Sequence, residues 1–237
     1  MIKKKNKIIC IIPARGGSKG LPNKNILKVN GLPLIAHSIL YAKSSNLIDK
    51  IIVTTDSKKI AKISQNFGAE VPFMRPKKYS GDLSTTEETL KHALLKYEKI
   101  NNKKFDLCVY LSPTDIFRKK NWLKDSIKIL SKNKDLESVF VSYETHKNFW
   151  IYDNKKKWSR IKNWMKFYQS RQIRNKIYRE DTGLCCVSRS FLWRKSRRIG
   201  DNVYIIVNKD DFSSIDIHEK NDLELANFIL KNKLFKP

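Results

Sequence analysis

The feature that most narrows what this chain can fold into is a run of five apolar residues, Ile8-Ile-Cys-Ile-Ile12. It leads straight into Pro13-Ala-Arg-Gly-Gly-Ser-Lys-Gly-Leu-Pro-Asn-Lys-Asn25. A strand that is apolar at every position has to be buried on both faces, the condition of a parallel strand inside an α/β sheet. Ligands in such sheets gather at the carboxyl ends of the strands, so the glycine-rich loop stands where a ligand is expected.

The rest of the chain keeps the same rhythm. Residues 33–44 read as a helix with Pro33 in its first turn, and Lys50–Thr55 as a strand. Asp56 or Ser57 can cap a helix running to Phe67 and stopped by Gly68. Glu70–Met74 is expected to be a short peripheral strand, because Pro72 interrupts it. Thr85-x-x-Glu88 has capping-box spacing, and Leu90, Ala93, Leu94 and Tyr97 then fall on one helical face. Asp106–Leu111 reads as a strand, 121–131 as a helix and 138–143 as a strand. The pattern breaks at Glu144 and resumes with 183–188, 203–207 and a helix from Asn221. The expected fold is a single α/β domain over 1–237, Rossmann-like, with a mostly parallel sheet and helices on both faces. Residues 145–180 form an excursion from it.

Charge marks that excursion. The formal net charge is +26, and residues 151–200 hold 15 Lys and Arg against 3 Asp and Glu. Trp158, Trp164, Phe167, Tyr168, Tyr178 and Trp193 interleave with the cations. This composition suits single-stranded nucleic acid, where bases stack on aromatics, and equally a protein interface rich in Trp, Tyr and Arg. With 41% hydrophobic residues the chain is not a disordered one. No apolar run approaches the ~20 residues needed to span a bilayer. Met1–Lys7 resembles the start of a signal peptide, but the apolar stretch behind it falls short of the roughly 7–15 residues of an export signal. The cytoplasm is the expected location. Cys10, Cys108, Cys185 and Cys186 lie in strand-like stretches with no C-x-x-C pair, so buried free thiols are expected rather than zinc ligands.

In the loop after the first strand, Gly16, Gly17 and Gly20 permit sharp turns and present backbone N–H groups. Arg15, Lys19 and Lys24 add cations and Ser18 a hydroxyl. Together these make a polyphosphate cradle. The segment is neither G-x-x-x-x-G-K-[ST] nor G-x-G-x-x-G, which speaks against a P-loop NTPase and a dinucleotide dehydrogenase. The bland alternative is a surface loop that turns with glycines and stays soluble with lysines.

The stretch Ile11–Ile26 resembles the N-terminal signature of the acylneuraminate cytidylyltransferases. The resemblance continues through Gly31–Ile35, Ile52–Asp56, Arg75-Pro76, Asp82, Ser84–Thr86, Leu111–Thr114 and Arg118. It then takes in Arg171-Gln172, Tyr178–Glu180, Gly183 and Ser214–Ile217, in order along nearly the whole chain. It implies an enzyme that joins a nonulosonic, sialic-acid-like sugar to CTP, giving the CMP-sugar and pyrophosphate. An eight-carbon (KDO-type) acid is the alternative within that chemistry, and a basic α/β RNA-binding module the alternative outside it.

By resemblance, Arg15, Gly16, Gly17, Ser18, Lys19, Lys24 and Asn25 hold and position the nucleotide, and Arg75, Ser84 and Thr86 recognise cytidine. Ser112, Thr114, Arg171, Gln172 and Arg179 face the sugar, the last three from an excursion that swaps onto a partner subunit in a homodimer. Arg15, Lys24 and Asp216 are the expected catalytic groups, with Mg²⁺ or another divalent cation as cofactor. Relatives commonly read Asp-Ile-Asp where this chain has Asp216-Ile217-His218. Residues two apart on an extended stretch share a side, so His218 stands where a second carboxylate would, a poorer Mg²⁺ ligand. Equally, it can cap the following helix. Ser112 replaces a common Gln, Asp115 adds a carboxylate, and Asp181-Thr182-Gly183 replaces an Asn-Gly turn. These departures fall on the sugar side and predict an acid other than, or besides, N-acetylneuraminate. His37 and His92 are expected to be structural; His146 has no assignment.

Overall fold

A computed structural model of the chain describes residues 6–154 and 156–237. Most of the basic stretch Met1–Lys7 lies outside the described residues. The central strands are β1 (Ile8–Pro13), β4 (Lys50–Thr54), β5 (Leu107–Tyr110), β6 (Ser138–Thr145), β9 (Ile177–Glu180), β10 (Cys186–Arg189) and β11 (Val203–Asn208). Two small antiparallel pairs stand apart, β2 (Lys28–Val29) with β3 (Leu32–Pro33), and β7 (Trp150–Tyr152) with β8 (Trp158–Arg160). The helices are α1 (Leu34–Ser44), α2 (Lys58–Asn66), α3 (Thr86–Asn101), α4 (Trp122–Lys132), α5 (Ser190–Arg194) and α6 (Lys220–Lys231).

The sheet order is β11-β6-β10-β5-β1-β4, with β9 also on β6. β1 lies between β4 and β5 in parallel register, and β11 is parallel to β6. The run Ile8–Ile12 is fully apolar because its alternate residues feed two cores. Ile8, Cys10 and Ile12 pack with Ile35 and Ile39 of α1 and Leu123 and Ile127 of α4. Ile9 and Ile11 pack with Leu90, Leu94 and Tyr97 of α3 and with Trp193 of α5. Each such side chain contributes roughly 1.5–3 kcal/mol by burial. A third cluster, Val29, Leu34, Phe117, Ile217 and Ile229, docks α6 beside β2 and β3.

Local signals mostly act as read. Ser57, not Asp56, caps α2, accepting the Ile60 N–H, and Gly68 past its end takes φ +89°. Thr85 and Glu88 form the complete capping box of α3. Pro33 differs: it precedes α1 in an extended conformation and pairs within β3. Residues 70–74 also differ, making isolated bridges at Glu70 and Met74 in place of a strand. All four cysteines are free and buried. Among the described residues, no helix is long and apolar enough to cross a membrane.

The sheet is mostly parallel, as expected, with β1, β4, β5, β6 and β11 running one way and two strands opposed. β10 runs antiparallel to both β5 and β6, and β9 continues the same antiparallel pairing further along β6. Glu180 pairs with Ser142 and Cys186 with Phe140, so residues 181–185 bulge out opposite Val141 alone. The bulge carries Gly183 across to β5, where its carbonyl accepts the Ser112 N–H at 2.9 Å. The two ends of 145–180 belong to the sheet, Thr145 in β6 and 177–180 in β9. Only the intervening residues leave it, with the β7–β8 hairpin and a 3-10 turn at Asn163–Lys166.

Candidate functional site

At the carboxyl end of β1 the Ala14 N–H still bonds the Thr54 carbonyl, and the chain then turns away. Asn25, buried, donates to the Arg15 carbonyl at 2.9 Å and holds the loop closed across its base. The Gly16 N–H is taken by Asp56 Oδ1 at 2.8 Å, so this expected phosphate donor already has a carboxylate partner. Ser18 folds its N–H back to the Gly16 carbonyl at 3.2 Å. Gly17 has open space around it. Gly20 does not, since a methyl group there would lie 2.9 Å from the His218 carbonyl oxygen. That contact presses the loop against the segment before α6.

The three loop cations divide into two groups. Lys19 Nζ and Arg15 Nη1 both bind Asp82, at 2.7 and 2.9 Å, and their hydrogen bonds, that of Lys19 first, lower the carboxylate from its ordinary value. Lys24 Nζ instead donates to the Ile217 carbonyl at 2.7 Å. Its ammonium is pushed down by burial, partly offset by the charge of Asp216.

Between this loop and the start of α3 lies a cavity of about 290 Å³, walled by Arg15, Arg75, Asp82, Ser84, Thr86 and Tyr110, among others. Arg75 is 7% exposed, and its Nε and Nη2 have no hydrogen-bond partner. The nearest carboxylate, Asp56, is 3.9 Å away. A buried guanidinium with unpaired donors is costly unless a ligand completes it. Ser84 Oγ donates to the Lys78 carbonyl at 3.0 Å, which leaves it as an acceptor toward the cavity.

Ser112 also lines this cavity, at the edge toward β5. Its Oγ lies 2.7 Å from Thr114 Oγ1. Arg118 braces the surrounding turns from below, bonding the carbonyls of Ser112, Gly183 and Leu184 and the Ser38 hydroxyl. Asp115, partly buried beside them, is raised to about 7 by burial first and by the charge of Asp216 second. Asp216 and His218 share a side, as their spacing requires, with His218 Nε2 2.7 Å from Asp216 Oδ2. Asp216 Oδ1 is buried without a partner. The side chain of His218 does not cap α6, because Glu219 and Asp222 form that capping box.

Arg171 and Gln172 lie elsewhere. They line a second cavity of about 520 Å³ with His146, Lys147, Lys176 and Lys209, which shares no residue with the first. Arg179 lines neither, its guanidinium gripping Asp181 through two bonds of 2.7 and 3.0 Å. The structure therefore gathers Arg15, Arg75, Ser84, Thr86 and Ser112 around one cavity, puts Lys24 and Asp216 beside the loop, and leaves the excursion residues apart. His37, bonded to the Val29 carbonyl, and His92, stacked on Tyr79, are structural as expected. Asp56, Asp82 and Asp115 are contacts of the site whose roles the sequence reading did not assign. Asp56 and Asp82 stood among the motif matches, and Asp115 stood out as an added acid.

A cationic turn at the carboxyl edge of a doubly wound sheet is the arrangement of nucleotide-binding enzymes. Within that class, the chain belongs to the cytidylyltransferase family, whose model matches residues 9–184, and it is a nucleotidyltransferase. It is 30% identical to a CMP-N,N'-diacetyllegionaminic acid synthase of Campylobacter jejuni over 98% of each chain. It is 29% identical to a post-translational flagellin modification protein B of Campylobacter coli, over 96% of this chain and 97% of that one. In fold it is similar to CMP:2-keto-3-deoxy-manno-octonic acid synthetase, with a TM-score of 0.70, 14% identity and coverage of 96% of this chain and 99% of that one.

Proposed function

We propose that the protein transfers CMP from CTP to the anomeric hydroxyl of a nonulosonic acid and releases pyrophosphate. The observation that carries this reading is the buried Arg75, with Nε and Nη2 left without a hydrogen bond, in a cavity that also receives Arg15 and Ser84. Full-length similarity to a diacetyllegionaminic acid synthase supports the choice of acceptor. In the transfer, the sugar oxygen bonds the α-phosphorus, the bond from that phosphorus to the bridging oxygen breaks, and the hydroxyl proton is lost. Such reactions depend on positioning and on neutralising phosphate charge.

Arg15 and Lys19 meet the triphosphate once it displaces Asp82, and Lys24 meets the phosphate nearest the 216–218 segment. Arg75, Ser84 and Thr86 face the nucleoside; Ser112 and Thr114 face the acceptor. Mg²⁺ suits the site, because Asp216 offers a buried hard oxygen with no other partner. A bound divalent ion supplies charge neutralisation to the phosphates. Among the described residues no three His, Cys, Asp or Glu side chains form a complete cage, so phosphate and water oxygens would fill the remaining positions. His218 orients Asp216 through its Nε2.

Arg171 and Gln172 reach the sugar carboxylate from a partner subunit in a homodimer, whereas Arg179, on β9 of the sheet and bound to Asp181, stays with its own subunit. Exposed Trp158 and Tyr168, 67% and 76% accessible, are suited to be covered in such an assembly. A CTP-consuming enzyme with four free buried thiols fits the cytoplasm. The test is a pyrophosphate-release assay over four nucleoside triphosphates and a panel of legionaminic, pseudaminic, N-acetylneuraminic and eight-carbon acids, with and without Mg²⁺. CTP with a nonulosonic acid is expected to turn over, and N-acetylneuraminate not to be far the fastest. Release with CTP and no acid at all would sink the proposal.

A further inference from the structure

Outside the excursion, two arginines among the described residues keep a buried nitrogen without a hydrogen-bond partner, Arg75 and Arg198. The braces of the fold are built differently. Arg194 grips Glu98 at 2.6 and 3.2 Å, and Arg118 satisfies four acceptors. Arg198 instead lays its guanidinium 5.2 Å from the centre of the Tyr110 ring and reaches two acids at longer range. Nη1 lies 3.5 Å from Glu87 and Nη2 3.4 Å from Glu180, with Nε left bare. Its backbone is fixed, since its carbonyl accepts from Ser188 Oγ at 2.6 Å and from the buried Trp193 Nε1 at 3.3 Å. The three side-chain contacts belong to three walls. Glu87 follows Thr86 in the first turn of α3, and that turn lines the first cavity. Tyr110 lines the same cavity and ends β5, just before Leu111 and Ser112. Glu180 closes β9, and the bulge that starts after it brings Gly183 to Ser112.

We propose that Arg198 is a positioning residue for the transfer, holding the acceptor wall at Tyr110 and the 181–185 bulge against the nucleoside wall at the start of α3. The proposal rests on the cytidylyl-transfer reading and goes beyond it in assigning what aligns the two substrates. One planar guanidinium can stack on a ring and fork toward two carboxylates at once, which an ammonium cannot. Charge-assisted pairs settle at about 2.7–2.9 Å. Both acid contacts of Arg198 therefore have room to shorten as substrates fill the cavity. Arg75 lines the cavity itself, while Arg198 reaches it through Tyr110. In-line attack tolerates little error, and a misplacement of about 1 Å costs roughly 10²-fold in rate.

The test measures pyrophosphate release with CTP and each acid of the panel, alongside calorimetric binding of α,β-methylene CTP and melting curves. Arg198→Met is expected to lower kcat by about 10–100-fold while nucleotide affinity stays within about threefold. Arg198→Lys keeps the charge but cannot bridge both acids, and is expected to recover about threefold or more of that loss. Glu180→Gln alters a half-exposed carboxylate outside the core. It is expected to lower kcat by about 3–10-fold alone, and by less than about twofold on top of Arg198→Met. A folded Arg198→Met protein with wild-type kcat overturns the assignment, as does a loss that falls wholly on nucleotide affinity. Should Arg198→Met fail to fold, wild-type kcat in Glu180→Gln overturns it instead. The wild type separates the two failures. If it turns over no acid, cytidylyl transfer and the placement of Arg198 fall together. Turnover by the wild type, unchanged in the variants, removes Arg198 and leaves the reaction.

Discussion

Asp115 is folded against its own charge. Its carboxyl is held near 7 while the ordinary value is 3.8, chiefly because of burial and then because of Asp216. Between those two values the unfolded chain gives up this proton and the folded chain keeps it. Stability from this group therefore falls as pH rises through the window, and the full penalty stands above about pH 7. Replacing Asp115 with Asn should make the protein more stable at pH 8 by about 1–3 kcal/mol, and no more stable near pH 4. Urea unfolding at the two pH values reads the difference, and equal midpoints at pH 8 would contradict it. Asp82 makes a different case. Its exposed carboxylate occupies Arg15 and Lys19, the cations a triphosphate needs. Asp82→Asn is expected to tighten CTP binding by about 2–10-fold and to move stability by less than about 0.5 kcal/mol, since exposed pairs contribute little. Calorimetric titration with CTP would refute this by showing weaker binding. Neither role could be read from the sequence, because each depends on a partner dozens of residues away.

Among the elements, the strands of the buried sheet were legible because apolar runs such as Ile8–Ile12 fill both cores at once. The reversal of β10 within that mostly parallel sheet was not. The apolar pattern of 183–188 is the same for a parallel or an antiparallel strand, and only pairing with both β5 and β6 sets β10 antiparallel. The bulge at 181–185 was visible only as an unusual turn, yet it delivers Gly183 to Ser112. Arg118 locks that arrangement, buried at 3% exposure beneath four acceptors on three separate segments. Replacing it with Met leaves the carbonyls of Ser112, Gly183 and Leu184 without this donor. A loss of about 3–5 kcal/mol is expected in denaturant unfolding. A loss under about 1 kcal/mol would mean that the bulge holds its place without Arg118.

At the scale of the whole molecule, the charge of +26 divides by place. Part of it forms the loop around the first cavity. Another part lines the second cavity, where Arg171, Lys176 and Lys209 gather beside Gln172. The sequence placed both groups in one site; the single chain keeps them apart, because residues 146–176 leave the sheet. The proposed homodimer, by swapping this excursion, would reunite them. Light scattering is expected to give a mass of twice 27.8 kDa. The double variant Trp158→Glu, Tyr168→Glu is expected to run as a monomer that still binds CTP but has lost turnover. A fully active monomer would contradict the shared site.

The most direct test of cytidylyl transfer is a ³¹P NMR spectrum of the protein with CTP, Mg²⁺ and N,N'-diacetyllegionaminic acid, repeated with pseudaminic and N-acetylneuraminic acids. The account predicts a phosphodiester resonance of a CMP-sugar that grows in step with pyrophosphate for at least one acid. CTP left intact with every acid, or converted to pyrophosphate and free CMP with no phosphodiester signal, would contradict it.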